Sequence, residues 1–255
     1  MDPNPFSKVA APALDAAADD IERFLATART IEVLGLLPNS SNYTFLARLS
    51  DEQTSMLAVY KPVRGERPLW DFPRGTLCRR EVAAYALSRA LRWPSIPPTV
   101  LRQDAPLGIG SVQLLVAAQN QLHYLAISSS NRDFWFDVAV FDVICNNADR
   151  KSGHCLVDDR GRLWVIDHGL TFHDSHKLRT VIWDFAGKRL SQRQCLDLSR
   201  VQRDLEDGGW LRGHLEELIS RDEIDALAAR IAAATSPSWT MPQPSDDWSI
   251  PWPPL

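Results

Sequence analysis

The chain has no stretch of about 18 uncharged apolar residues, the length that a membrane-spanning helix needs. Its start, MDPNPFSKVAAPALDAAADD, has neither a basic nor an apolar segment of the kind a secretory leader carries. The expectation from both is a cytoplasmic protein without integral membrane association. A basic excess is lacking too: 28 Lys and Arg against 32 Asp and Glu give a net charge of −4, so no nucleic-acid partner held by a general positive field is expected. The four cysteines, Cys78, Cys145, Cys155 and Cys195, form no CxxC pair, which argues against a zinc ribbon and for reduced thiols. What is present is globular in texture, with 45% hydrophobic and 24% charged residues over 255 positions, enough for one large or two small domains.

Apolar residues Ile21, Leu25 and Ala28 fall at helical spacing, which predicts a short helix over residues 15–28. From residue 30 to 63 the texture becomes that of strands, with the turn formers Pro38, Asn39, Ser40, Ser41 and Asn42 marking a hairpin connection. A loop rich in charge, proline and aromatics covers residues 64–77, and a helix is predicted over residues 79–92, stopped by Pro94. Residues 99–101 and 112–117 read as further strands of the same sheet. Residues 133–145 read as a buried helix and residues 155–157 and 163–166 as a hairpin around Asp158-Asp159-Arg160-Gly161. The rest is mainly helical, broken near Gly208-Gly209, before a Pro/Trp-rich tail. The domain reading is therefore an N-terminal extension (1–29), a β-rich part (30–117), a mainly helical part (118–234) and a tail (235–255).

The segment most suggestive of chemistry is Asn146-Asn147-Ala148-Asp149-Arg150-Lys151-Ser152-Gly153-His154, a polar loop between apolar elements, followed by Ile166-Asp167-His168-Gly169. The hairpin between them would bring Asp149, His154 and Asp167 to one end of a small sheet, offering a base and two metal ligands. Phosphoryl transfer uses such a set: divalent cations hold the triphosphate, a carboxylate orients the attacking hydroxyl, and cations such as Arg150 and Lys151 neutralise the transferred charge. The bland alternative for Asp149-Arg150 is a turn with a surface ion pair. Upstream, Lys61 ends a strand and Glu81 lies in the first turn of the following helix, where a carboxylate can hold a lysine against phosphates. The turn at 38–42 lacks glycine, so Ser40, Ser41 and Asn42 would offer backbone N–H groups and hydroxyls to phosphate.

With these residues in place the chain resembles the phosphatidylinositol 3-/4-kinase superfamily over roughly residues 31–190, most in local texture the type II phosphatidylinositol 4-kinases. The resemblance rests on Pro38-Asn-Ser-Ser-Asn-Tyr-Thr-Phe45, Val59-Tyr-Lys61, Arg80-Glu-Val-Ala-Ala84, Gly110-Ser-Val-Gln-Leu-Leu-Val116, Asn147-Ala-Asp149-Arg150 and Ile166-Asp167-His168-Gly169. It extends to a group of bacterial proteins similar to these kinases across VYKPVRGERPLWDF. It implies an α+β, two-lobed protein-kinase-like fold, with a β-rich N-lobe and a mainly α C-lobe, that binds ATP with Mg²⁺ or Mn²⁺. It also implies that Lys61 contacts the ATP phosphates and Glu81 orients Lys61, that residues near Val116 and Ala117 bound the adenine pocket, that Asp149 is the base and that Asp167 holds magnesium. His154 stands where the family has a metal-binding Asn.

Other readings remain open at this point. A mononuclear metal hydrolase could use His154, His168, His173 and His176, although neither HExxH nor HxH occurs. Cys155 could be a nucleophile only with a lowered thiol pKa, and otherwise is a buried strand residue. Arg64, Arg67, Arg74 and Arg79 with Trp70 and Phe72, and His176, Lys177 and Arg179 further on, form basic segments that suit an anionic acceptor or are solvated loops. The expected activity is ATP-dependent phosphotransfer to an unidentified acceptor, a protein or small molecule rather than a lipid. A pseudokinase serving as a nucleotide-binding interaction module is the alternative.

Overall fold

The computed structural model describes residues 18–37, 42–118, 123–127 and 129–254. The phosphate-loop residues Ser40 and Ser41 lie outside them. Helix α1 (Ala18–Thr27) buries Ile21 and Leu25, one turn apart, and carries Asp19 and Asp20 in its first turn, where the helix dipole favours acid. Five antiparallel strands follow in the order β1-β2-β3-β5-β4 across the sheet: β1 (Thr30–Leu36), β2 (Phe45–Ser50), β3 (Ser55–Pro62), β4 (Thr99–Arg102) and β5 (Gly110–Leu114). Alternation sorts their side chains. Ala47, Leu49, Ala58, Tyr60, Val112 and Leu114 share one buried cluster with Ile21 and Leu25 of α1. Lys61, next to Tyr60, therefore points to the opposite face, paired in register with Ser111 of β5.

Helix α2 (Leu77–Leu91) covers that opposite face. It begins two residues before the expected start because the Glu66 carboxylate accepts hydrogen bonds from the free N–H groups of Gly75 and Leu77, at 2.8 and 3.1 Å. Strand β5 also departs from expectation. It ends at Leu114, and residues 115–118 leave the sheet, with Leu115 N donating to Leu57 O (2.9–3.0 Å is ordinary for such a bond) and Ala118 bridging to Asp158. Val116 and Ala117 thus lie on the connection between the two halves of the molecule rather than in a strand.

The second half contains α3 (Tyr124–Ile127), a short helix absent from the sequence reading, then α4 (Arg132–Cys145), the hairpin β6 (Cys155–Val157) and β7 (Leu163–Val165), and α5 (Gln192–Asp204), α6 (Trp210–Glu216) and α7 (Arg221–Ala234). Ser191 and Ser220 cap α5 and α7 in reciprocal boxes with Gln194 and Glu223. A large apolar cluster joins α2, α4, α5, α6 and α7. Across it the buried Arg80 of α2 pairs with Glu223 of α7 and donates to Thr171 O at 2.6 Å. The chain is thus mixed α and β, with an antiparallel sheet and helices. Among the described residues no helix is long and apolar enough to cross a membrane.

The tail runs back over this half. Gly187 N and Lys188 O bond the backbone of Met241, each at 2.8 Å, Ser249 O accepts from Thr180 N at 3.0 Å, and Pro254 O accepts from Ser152 N at 2.8 Å. Its last residues therefore lie against the polar segment that follows α4.

Candidate functional site

Helix α4 ends where the polar segment begins because Asn146 takes the left-handed conformation (φ 55°) that stops a helix and that asparagine tolerates. Its amide then pins a second segment. Nδ2 donates to the carbonyls of His173 (2.8 Å) and Ser175 (2.7 Å), and Oδ1 accepts from Lys177 N (2.8 Å). Asn147 turns the other way, donating from Nδ2 to Asp142 Oδ1 (2.9 Å) and accepting at Oδ1 from Asp149 N (3.0 Å). Asp149 is thereby held at the mouth of the loop with Lys151 Nζ 3.3 Å from its carboxylate. Burial pushes its carboxyl up to about 6, and the charge of Asp167 adds to the shift against the opposing pull of Lys151.

Arg150 corrects the sequence reading. It was expected to face the transferred phosphoryl group, yet its side chain is wholly buried. Nε and Nη2 fork onto Asp142 at 3.0–3.2 Å, Nη1 donates to Ile166 O (2.9 Å) and Nη2 meets His168 Nε2 (2.6 Å). A surface ion pair is equally ruled out. Asp142, on α4, escaped the sequence reading because nothing in the periodicity of an apolar helix marks one carboxylate as the partner of an arginine eight residues on. It fastens both the loop bearing Asp149 and the strand end bearing Asp167.

The remaining members come from three distant places. Lys61 Nζ from β3 bonds Glu81 Oε1 of α2 and lies 2.9 Å from Asp167 Oδ1 after β7. Glu81 is buried, and its other oxygen accepts from His168 N at 3.0 Å. Asp167 has φ 61°, a left-handed backbone that a non-glycine residue adopts only where its surroundings impose it, as they often do at functional sites. Desolvation in the cleft opposes ionisation of Asp167, but the ammonium of Lys61, His154 and the hydrogen bonds outweigh it and hold its carboxyl far below the usual range. Burial raises Glu81, with Asp167's charge adding and Lys61's opposing. Lys61 is itself held charged: desolvation works against it, and the two carboxylates prevail. A continuous line of bonds therefore runs from Lys61 through Glu81, His168, Arg150, Asp142 and Asn147 to the backbone of Asp149.

His154 Nε2 lies 3.4 Å from Asp167 Oδ2, while Nδ1 accepts a 3.3 Å bond from Lys151 N. Burial and the nearby cations lower its pKa to about 4, so the ring is neutral at pH 7. With Nδ1 an acceptor, the proton sits on Nε2 and is directed at Asp167. Asp167 is half exposed and ionised, the donor chemistry that Mg²⁺ or Mn²⁺ takes. Among the described residues no three His, Cys, Asp or Glu side chains converge as a metal cage. The histidines of the hydrolase reading are dispersed: His168 is buried against Arg150, His173 bonds Asp71 O (2.8 Å), and His176 is exposed. Cys155 is buried and pushed up to about 12, which removes it as a nucleophile. Of the nucleotide-contact candidates, Asn42 accepts from Arg67 N (2.8 Å), Val116 is buried and Ala117 exposed.

An ionised lysine thus lies between two carboxylates, with a third carboxylate, Asp149, and its partner Lys151 on the neighbouring loop. No known family profile matches the chain. The chain is 37% identical over 271 residues to Protein Rv2133c of Mycobacterium tuberculosis, the match covering 92% of this chain and 95% of that one, and it belongs to the same family. Among solved structures, the proinflammatory kinase CtkA of Helicobacter pylori is similar with a TM-score of 0.48 and 12% identity, over 80% of this chain and 91% of that chain.

Proposed function

We propose that the chain is an ATP-dependent phosphotransferase with a two-lobed, PI3/4-kinase-like architecture, the nucleotide lying between the sheet and the helical half. One observation carries the reading: Lys61, Glu81 and Asp167, 20 and 106 residues from the lysine, meet at a single point. A strand lysine, a helix glutamate and a metal-binding aspartate are the parts that kinases assemble around ATP phosphates.

In this reading Lys61 cradles the phosphates and Glu81 fixes its direction. Val116 and Ala117, on the connection between the halves, border the base, and Asn42 with Ser40 and Ser41, the last two outside the described residues, supplies donors to the phosphates. Asp167, with His154 beside it, would hold Mg²⁺ or Mn²⁺, which would supply positive charge against the phosphates. Asp149 receives the proton of the acceptor hydroxyl as its oxygen bonds the γ-phosphorus and the bond to ADP breaks. Lys151 stays beside Asp149, and Arg150 keeps the loop in place from behind.

Incubation with ATP labelled in the γ-phosphate, Mg²⁺ and candidate acceptors, or water as the default acceptor, tests the proposal. Release of ADP that disappears in Asp149→Asn supports it. Nucleotide bound without turnover by the wild type under every condition leaves a binding module in its place. Lys61→Ala is expected to weaken Mg²⁺-ATP binding about tenfold or more, since a charge-assisted contact to phosphate is lost, as titration calorimetry would read.

The raised carboxyl of Asp149 adds a pH signature. The base works ionised, so kcat/KM should climb about tenfold per pH unit up to about 6 and level off above it. A rate that is flat from pH 5 to 8 contradicts the assignment of Asp149 as the base.

A further inference from the structure

Resting on the phosphotransferase reading, the contacts of the Pro/Trp-rich tail give it a part in the transfer step. The Asp149 loop is fixed on its N-terminal side by Asn147 and from behind by Asp142 and Arg150. Beyond Arg150 its support comes from distant parts of the chain. Residues 150 and 180 run side by side, Arg150 N donating to Arg179 O at 3.0 Å and Val181 N to Arg150 O at 3.1 Å. Thr180 turns its own N–H away from this pairing, to Ser249 O of the tail at 3.0 Å. Five residues further along the tail, Pro254 O accepts from Ser152 N at 2.8 Å. Two carbonyls of one tail segment thus grip both the loop and the segment paired with it.

Ser152 and Thr180 are both wholly buried. The Ser152 hydroxyl is engaged as well, by Leu125 N at 3.0 Å and His123 Nδ1 at 2.9 Å, so this residue, three after Asp149, gathers the loop, α3 and the tail. Without the tail the two N–H groups lose their acceptors, and the backbone that carries them is no longer held in one position. The tail segment is itself shaped for the task. Asp246 Oδ1 accepts from Trp248 N (3.0 Å) and Ser249 Oγ from Ser245 N (3.0 Å), closing a turn at its start. Ser249 and Pro251 are buried while Ile250 and Trp252 are exposed, the alternation of an extended segment lying along a surface. Pro251, Pro253 and Pro254 carry no N–H, so at these positions the segment offers acceptors and has no donor to satisfy. Their fixed φ also lowers the entropy lost on docking.

We infer that residues 245–254 are a positioning segment for phosphoryl transfer: they set the Asp149 loop through Ser152 N and Thr180 N, and they are no part of the nucleotide site formed by Lys61, Glu81 and Asp167.

The test compares the full chain with one ending at Pro244, which keeps the buried Met241. Melting temperature, affinity for a non-hydrolysable ATP analogue with Mg²⁺, and transfer of the γ-phosphate to water are measured on both. The shortened chain should bind the analogue within about twofold of the wild type and transfer phosphate about tenfold or more slowly, the fall lying in kcat and not in KM for ATP. A peptide of residues 245–255 added to it should restore the rate. The same peptide with Asp246→Ala should be needed at about fivefold higher concentration, having lost its cap, and a scrambled peptide should restore nothing. Should the shortened chain not fold, the full-chain double variant Asp246→Ala/Ser249→Ala loosens the turn instead, and faster hydrogen exchange at the Ser152 and Thr180 amides reports the release. Release with transfer unchanged or faster overturns the inference, and so does a loss of analogue affinity in step with the rate. Both results leave the kinase reading standing. A wild type that neither binds the analogue nor transfers phosphate removes that reading and the inference with it.

Discussion

Replacing Asp149 by Asn should lower phosphoryl transfer roughly 100- to 10,000-fold, the usual range for a general base, and leave Mg²⁺-ATP binding and the melting temperature near those of the wild type. The amide keeps the volume and can still accept from Lys151, so the 3.3 Å contact survives without its charge. What is lost is the acceptor for the hydroxyl proton. The carboxylate is suited to that task because the loop is fixed from beneath, Asn147 receiving its N–H and Asp142 receiving Asn147. Asp167→Asn should be as damaging to turnover but for another reason, and should differ in its binding signature: the nucleotide loses its cation and with it the metal-dependent part of its affinity. Steady-state rates and titration calorimetry on the two variants separate these effects. Equal loss of nucleotide affinity in both would contradict the division of roles.

Asp142→Ala is expected to cost about 3–5 kcal/mol of stability, because it strands the wholly buried guanidinium of Arg150 without its counter-charge. For a chain of this size that lowers Tm by roughly 10 °C. The double variant Asp142→Ala/Arg150→Met removes the stranded charge and should recover much of the loss, since buried ion pairs contribute little over apolar side chains of similar volume. Turnover should not recover with it. Ile166 O, His168 Nε2 and Asn147 Nδ2 lose the groups that set the positions of Asp167 and Asp149. Thermal melts and rates on the single and double variants therefore read two different things, and a double variant restored in both would reduce the Asp142–Arg150 pair to a packing role.

The residues that meet at the site were legible in the sequence, whereas what holds them was not. Lys61 could be picked out because it ends an apolar strand, and Glu81 because it falls near the start of a helix, although α2 begins at Leu77 and places it beyond the first turn; both signals are local. Asp149 and Asp167 stood out as polar residues interrupting apolar elements. Arg150 was misread since its charge suggests solvent or phosphate, and only the packing of α4 reveals a carboxylate waiting inside. The buried Arg80–Glu223 pair, 143 residues apart, and the bond from Ser152 N to Pro254 O have no sequence signature, because contacts between elements distant in the chain carry no period. The end of β5 was placed too late for a similar reason. Residues 112–117 are apolar but for Gln113, and whether such a run continues a strand or crosses to another element depends on where its neighbours stop.

The central claim is that Lys61, Glu81 and Asp167 form a nucleotide site, and it is tested most directly by thermal denaturation of the wild type and Asp167→Asn with ATP in the presence of Mg²⁺, of Mn²⁺ and of a chelator. A ligand that binds only the folded chain raises its melting temperature. The account predicts a rise that needs the metal and vanishes in Asp167→Asn. Melting temperatures unmoved by ATP under all three conditions, or moved equally in both proteins, would contradict it.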